Sequence, residues 1–214
     1  MDITRYKHII WDWNGTLLDD AWLGVDIINQ LLGERGKPPV SQEQYRAIFD
    51  FPVREYYQRA GFDFTHETFE KVGTQFIERY NRRVNECRLQ AGAVEMLQKM
   101  HRLGIRQTIL SARELRGLRR DVKAFGIAEY IDEMIGLDHH YAHGKLELAA
   151  EWLKSSGLSV SGMLLIGDTV HDSEVARQLG MDCILVSHGH QDERRLRKTG
   201  LQIYSSLVEI GHVR

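Results

Sequence analysis

Residues 9–18 read Ile9-Ile10-Trp11-Asp12-Trp13-Asn14-Gly15-Thr16-Leu17-Leu18, with two more acids following at Asp19 and Asp20. An apolar, aromatic-rich run ends on a carboxylate and is cut at once by a Gly-Thr turn. Such a run, bounded by glycine, reads as a buried strand whose carboxyl end opens onto a crevice. In an open α/β sheet that crevice is where ligands bind. Asp12 therefore stands where chemistry is expected. The plain alternative is an acid at an ordinary strand-to-turn junction, and the rest of the chain has to decide.

Working outward, the first strand is expected over Lys7 to Trp13. From about Leu18 to Glu86 the texture turns helical. Leu23, Ile27, Ile28, Leu31 and Leu32 recur at helical spacing, and Ser41 is placed to cap a second helix. Phe51-Pro52-Val53-Arg54 breaks the pattern, and a long helix is expected over Thr65 to Asn85, with Phe69, Val72, Phe76, Ile77 and Tyr80 on one face. No strand is expected in this stretch. After Cys87 the pattern alternates. Strands are expected at Arg106–Leu110, Ile131–Leu137, Met163–Ile166, Cys183–Val186 and near Ile203, with helices between them. Strands separated by helices imply a parallel sheet covered on both faces. The expected fold class is α/β: a Rossmann-like parallel core from residues 1–17 and 87–214, with a small helical domain, 18–86, inserted after the first strand.

Composition narrows the function classes. A chain of 214 residues holds one sizeable α/β domain with a modest insertion. A formal net charge of −2 gives no sequence-wide case for nucleic acid or an anionic membrane. The two cysteines, Cys87 and Cys183, have no metal-type spacing, and no apolar run reaches transmembrane length. The stretch before the first strand lacks the apolar segment of a signal peptide. A cytoplasmic setting, as a monomer or homodimer, is expected.

Asp12, Ser111, Lys145 and Asp168 fall at strand ends or at the start of a following helix, with Asp172 close behind. In a parallel sheet those ends face one crevice. Converging carboxylates need a cation between them, and hard oxygen ligands suit magnesium, Mg2+. Magnesium beside a lysine, a hydroxyl and a Gly-Thr turn makes a seat for a phosphoryl group, which an aspartate can attack.

These residues resemble the motifs of the haloacid dehalogenase superfamily. Asp12-Trp13-Asn14-Gly15-Thr16 is similar to its first motif, Ile109-Leu110-Ser111 to its second, Lys145 to its third and Gly167-Asp168-Thr169-Val170-His171-Asp172 to its fourth. The helical insertion resembles the cap of phosphoglycolate-phosphatase-like members. The resemblance implies a magnesium-dependent phosphatase of a small phosphorylated metabolite. Asp12 would be nucleophile and metal ligand, and the Asn14 carbonyl a second ligand. Asp168 would be the acidic ligand, and Asp172 a support for the metal or a partner of Lys145. Ser111 and Lys145 would hold phosphate oxygens, with Thr16 and Ala112 beside them. The loop Phe49–Arg54 resembles the cap loop that reads the leaving group, and its Arg54 is the candidate for a second anionic group on the substrate or, alternatively, a solvated helix start.

One departure stands out. Where the superfamily's phosphatases place a second aspartate as general acid, this chain has Asn14, which cannot ionise at useful pH. Good leaving groups would tolerate that. Asp19, Asp20 or His143 could instead supply the proton, or the chain could be a ligand-binding relative that has lost turnover. The phosphonate hydrolases of the superfamily also lack the second aspartate but use a cap lysine, and Lys37 is the only lysine of the inserted segment near a turn. Its dehalogenases lack the Gly-Asp of the fourth motif, which this chain has. The cluster His139-His140-Tyr141-Ala142-His143 reads as a solvated loop before Lys145, with a place along the crevice as the second reading.

Overall fold

Strand β1 (His8–Trp11) is buried at every position, because both of its faces are covered and both of its edges are paired. A computed structural model describes residues 2–138 and 144–212. After β1 come β2 (Leu18–Asp19), α1 (Ala21–Gly33), α2 (Gln42–Ile48), α3 (Val53–Ala60), α4 (Phe69–Arg83) and β3 (Arg88–Leu89). The alternating part then runs α5 (Ala93–Arg102), β4 (Arg106–Glu114), α6 (Leu115–Ala124), β5 (Glu133–Leu137), α7 (Lys145–Ser156), β6 (Met163–Gly167), α8 (Val170–Leu179), β7 (Asp182–Val186), α9 (Glu193–Leu196), β8 (Ile203–Tyr204) and α10 (Leu207–His212).

The main sheet has the order β5-β4-β1-β6-β7-β8, and each of its pairings is parallel. The order reverses at β1, which is the switch point where an open α/β sheet leaves its crevice. Register sets what meets there. Trp11 pairs with Ile109 on one side and Ile166 on the other, so Asp12, Ser111 and Asp168 leave the sheet at the same end. Side-chain alternation splits the core in two. Ile9, Trp11, Ile109, Leu164 and Ile166 pack with Leu97 and Met100 of α5, Leu118 and Val122 of α6, and Leu207 of α10. Ile10, Leu110 and Leu165 pack on the other face with Ala149 and Trp152 of α7 and Val175 and Ala176 of α8.

The helical segment fits its sequence pattern. Leu23, Ile27, Ile28, Leu31 and Leu32 are the buried stripe of α1. Ser41 and Gln44 form a reciprocal capping box on α2, which satisfies two backbone donors that the helix leaves open. The long helix starts at Phe69 rather than Thr65, because the Thr68 hydroxyl accepts from the Lys71 amide and fixes the start there. One expectation fails: within the stretch read as strandless, β2 is a strand, pairing antiparallel with β3 just beyond it through Leu18 with Leu89 and Asp19 with Arg88. This ribbon brings the two ends of the helical segment side by side. Strand β4 also runs past Leu110 to Glu114, with a register shift against β5. Among the described residues no helix is long and apolar enough to cross a membrane.

Candidate active site

Asp12 follows the last residue of β1 and is almost fully buried. Lys145, the first residue of α7, donates from Nζ to Asp12 Oδ1 at 2.6 Å and to Asp172 Oδ1 at 2.5 Å. Asp172 sits in the first turn of α8. Its other oxygen accepts from the Thr169 amide at 3.0 Å and the Thr169 hydroxyl at 2.7 Å, a capping box that fixes its rotamer. Asp168, just past β6, accepts from the Thr16 hydroxyl at 2.8 Å and the His190 amide at 2.6 Å. The backbone is shaped to this carboxylate. A Cβ on Gly15, which has φ of 79°, or on Gly189 would collide with the Asp168 carboxyl group. Ser111 is buried, and its Oγ accepts from the Arg113 amide at 3.1 Å.

The charges explain the protonation tendencies. Burial raises the Asp12 carboxyl well above the usual range. Lys145 opposes this, but the charges of Asp172 and Asp168 add to it. Burial likewise raises Asp168, with His190 opposing and Asp172 adding. Asp172 ends lowered, since Lys145 outweighs its burial. Burial works against the Lys145 ammonium, but Asp12 and Asp172 overcome it and hold the ammonium charged. Asp12 and Asp172 thus share one ammonium, with Asp168 beside them. Oxygens of Asp12, Asp168 and Asp172 lie within 4.8 Å of one another. A hard, all-oxygen donor set with surplus negative charge, beside a cradle that a Cβ would fill, fits a magnesium ion.

A second network lies beside the first. Asp20 is buried, and its carboxylate accepts from the Gly15 amide at 2.8 Å, Asn14 Nδ2 at 2.7 Å, the Tyr80 hydroxyl at 2.7 Å and His190 Nε2 at 3.2 Å. His190 is also 2.7 Å from the Tyr45 hydroxyl through Nδ1. Burial lowers its affinity for a proton, but Asp20 more than restores it and carries the imidazole up to about 9. Asp20 is correspondingly lowered: burial acts to raise it, and His190 with the hydrogen bonds prevails. Asn14 also donates to the Tyr80 hydroxyl at 2.8 Å, so its amide ties the first turn to α4.

Above the carboxylates opens a cavity of about 640 Å³, lined by Asp12, Asn14, Ser111, Ala112, Lys145 and Asp172 at the sheet end. Aromatic residues of the helical segment line the other side, among them Phe49, Phe51, Tyr57, Phe69 and Phe76.

A model of the family described as haloacid dehalogenase-like hydrolase matches residues 9–186. The chain belongs to that family. It is 26% identical over 192 residues to a Pseudomonas putida protein named N-acetylmuramic acid 6-phosphate phosphatase, covering 87% of this chain and 85% of that one. It is 27% identical over 193 residues to a Caulobacter vibrioides phosphoglycolate phosphatase, covering 86% and 81%. Among solved structures, a haloacid dehalogenase-like hydrolase from Streptococcus pneumoniae superposes with a TM-score of 0.83 at 18% identity, covering 97% of each chain.

Against the family's motif positions, the structure brings Asp12, Asn14, Ser111, Ala112, Lys145, Asp168 and Asp172 to one end of the sheet. Two expected substrate contacts are placed elsewhere. Thr16 is fully buried, and its hydroxyl bridges from Asp168 towards Asp12 instead of lining the cavity. Arg54 is exposed and does not line the cavity. It is the second residue of α3, turned outward with its guanidinium 5.9 Å from the Phe64 ring centre. Residues 139–143, with the histidine cluster and His143, lie outside the described residues. Asp19 is exposed, whereas Asp20 lines the cavity. Sequence reasoning missed His190, Tyr45 and Tyr80. The signal for His190 was Ser187-His188-Gly189-His190 directly after β7, at the same end of the sheet as the carboxylates.

Proposed function

We propose that the chain is a magnesium-dependent phosphomonoesterase acting on a small phosphorylated metabolite through an aspartyl phosphate on Asp12. Residues 18–86 act as its cap, over a core of 1–17 and 87–214. The observation that carries this reading is the buried group of Asp12, Asp168, Asp172 and Lys145 at the switch point of the sheet. The names of the curated relatives support it.

A carboxylate oxygen of Asp12 attacks phosphorus, and the bond from phosphorus to the alcohol oxygen breaks. Water then attacks the same phosphorus, the bond to Asp12 breaks, and inorganic phosphate leaves with the carboxylate restored. Lys145, bonded to Asp12, opposes the rise that burial imposes on its carboxyl and screens it from an incoming dianion. Ser111 offers its hydroxyl to a phosphoryl oxygen. Magnesium held by Asp12, Asp168 and the Asn14 carbonyl, with Asp172 supporting, would neutralise charge on the phosphoryl group. The aromatic wall keeps bulk water from the reacting centre, which strengthens each charge interaction there.

The test is phosphate release with magnesium, using acetyl phosphate as a small substrate that needs no general acid. Asp12→Asn should reduce turnover to background with the circular dichroism spectrum unchanged. A folded Asp12→Asn variant with wild-type turnover would refute the nucleophile. A wild type with no release from any ester would favour a ligand-binding relative.

A further inference from the structure

The part of the cavity that would receive a leaving group is aromatic and, among the described residues, has no basic side chain without a carboxylate beside it. Phe49, Phe51, Tyr57, Phe69 and Phe76 face it from α2 to α4 and their connections. Among the described lining residues the basic side chains are Lys145, Arg113, His171 and His190, and each already lies against a carboxylate. Lys145 holds Asp12 and Asp172. Arg113 is buried against Asp121 at 2.5 Å and donates to Asn81 at 3.0 Å. His190 holds Asp20, and His171 lies 3.7 Å from Glu174 while packing against Phe51. A substrate with a second anion, such as a glycolate, would bury that charge among rings without a counter-ion, at substantial cost.

The chemistry of the leaving oxygen points the same way. Asn14 cannot protonate it. Asp20, bonded to Asn14, has its carboxylate already engaged by four donors. With no acid at position 14, a leaving group that needs no proton is favoured. A phenolic oxygen, with a pKa of about 10, qualifies where an alkoxide does not. Flat rings also suit the space: aromatic faces and edges prefer offset or edge-on ring partners, and 640 Å³ lies in the range that holds a whole small ligand.

We propose that the substrate is an aryl phosphate monoester of one or two rings, with no second anionic group. This rests on the phosphatase reading above. Helix α4 offers a way to test the space itself. Gly73 lines the cavity, and a Cβ built on it meets nothing within 4 Å. Gly73→Leu would therefore fill the cavity from a helix position that tolerates a side chain and favours leucine over glycine.

The experiment measures kcat/KM of the full chain with magnesium on acetyl phosphate, phenyl phosphate, 2-naphthyl phosphate, glycerol 3-phosphate and 2-phosphoglycolate. The aryl esters should exceed 2-phosphoglycolate and glycerol 3-phosphate by roughly 10²-fold or more, the scale of a missing general acid. Gly73→Leu should raise KM for 2-naphthyl phosphate by about 10-fold, and by less for acetyl phosphate. If 2-phosphoglycolate or glycerol 3-phosphate matches or exceeds the aryl esters, the aryl assignment falls and the phosphatase reading stands. If Gly73→Leu affects the two probes equally, the ring site is not where we place it. Release from no substrate, acetyl phosphate included, overturns the phosphatase reading and this inference with it.

Discussion

At the scale of single residues, the question is what Asn14 does in place of an acid. Its Nδ2 donates to Asp20 and to Tyr80, and Asp20 is ionised against His190. Restoring an acid by Asn14→Asp alone would set a carboxyl where the amide now lies 2.7 Å from the Asp20 oxygen. Two carboxylates that close cannot both ionise, so the pair would hold a proton and the variant would lose stability. The exchange Asn14→Asp with Asp20→Asn keeps one acid and one amide in contact. It should raise kcat on alkyl phosphates more than on aryl phosphates, by up to ~10²–10⁴-fold. Rates on a series of esters of graded leaving-group pKa check this, and an equal change across the series would reject the acid-deficit account. Asp12 and Asp168 were legible because each follows an apolar run, and Lys145 and Asp172 because they stand at the motif positions near the helix starts beyond. Asp20 was legible only as one of three candidate acids, and of its four donors Tyr80 and His190 could not be read, because those contacts span 60 and 170 residues of chain.

At the scale of elements, the alternating half of the chain was readable because β4, β6 and β7 are short buried runs between amphipathic helices. The two-residue strands β2 and β3 were not, since two residues carry no periodicity and form only when Leu18 meets Leu89. Which of the two readings of Arg54 holds was not legible for a related reason. A helix start can be read from Pro52, but which way its second residue faces depends on how α3 docks. The junction of β1 with β4 carries a prediction of its own. His8 is buried in β1, with Nε2 at 2.8 Å from the Thr108 hydroxyl and its ring edge-on to Trp152 at 5.6 Å. Burial, helped by Arg106 and opposed by Asp132 and Glu133, lowers its pKa to about 4. Unfolded, it takes a proton below about 6.5. Between those values the unfolded state binds more protons, so stability falls as pH drops through that window. Urea unfolding at pH 7 and pH 5 should show a larger loss for wild type than for His8→Gln. Equal losses would mean that His8 is protonated in the folded chain at pH 5.

At the scale of the molecule, the helical segment and the sheet are joined more closely than an insertion drawn as a separate bead suggests. One apolar cluster runs from Trp11 and Ile166 in the sheet through Leu23, Ile27 and Leu31 of α1 to Tyr56, Val72 and Tyr80. Polar ties reinforce it: Arg46 donates to the His188 carbonyl at 2.7 Å, and Arg195 to the Phe49 carbonyl. The carboxylate group sits at that joint, so an ion bound there should report on the whole chain and not on one part. Thermal unfolding should therefore be a single cooperative transition that magnesium moves upward. At a concentration near 100 times its Kd the ion would add about 2.7 kcal/mol, which for a chain of this size is a shift of about 5–10 °C. Asp168→Asn should remove most of the shift, since Asp168 is the carboxylate around which Gly15 and Gly189 are shaped. Scanning calorimetry with magnesium and with chelator measures both effects. Two separable transitions would show that the cap unfolds alone. A shift that survives in Asp168→Asn would place the ion away from the three carboxylates, because binding there cannot persist at full strength when a buried oxygen donor with a formal charge is replaced by a neutral amide.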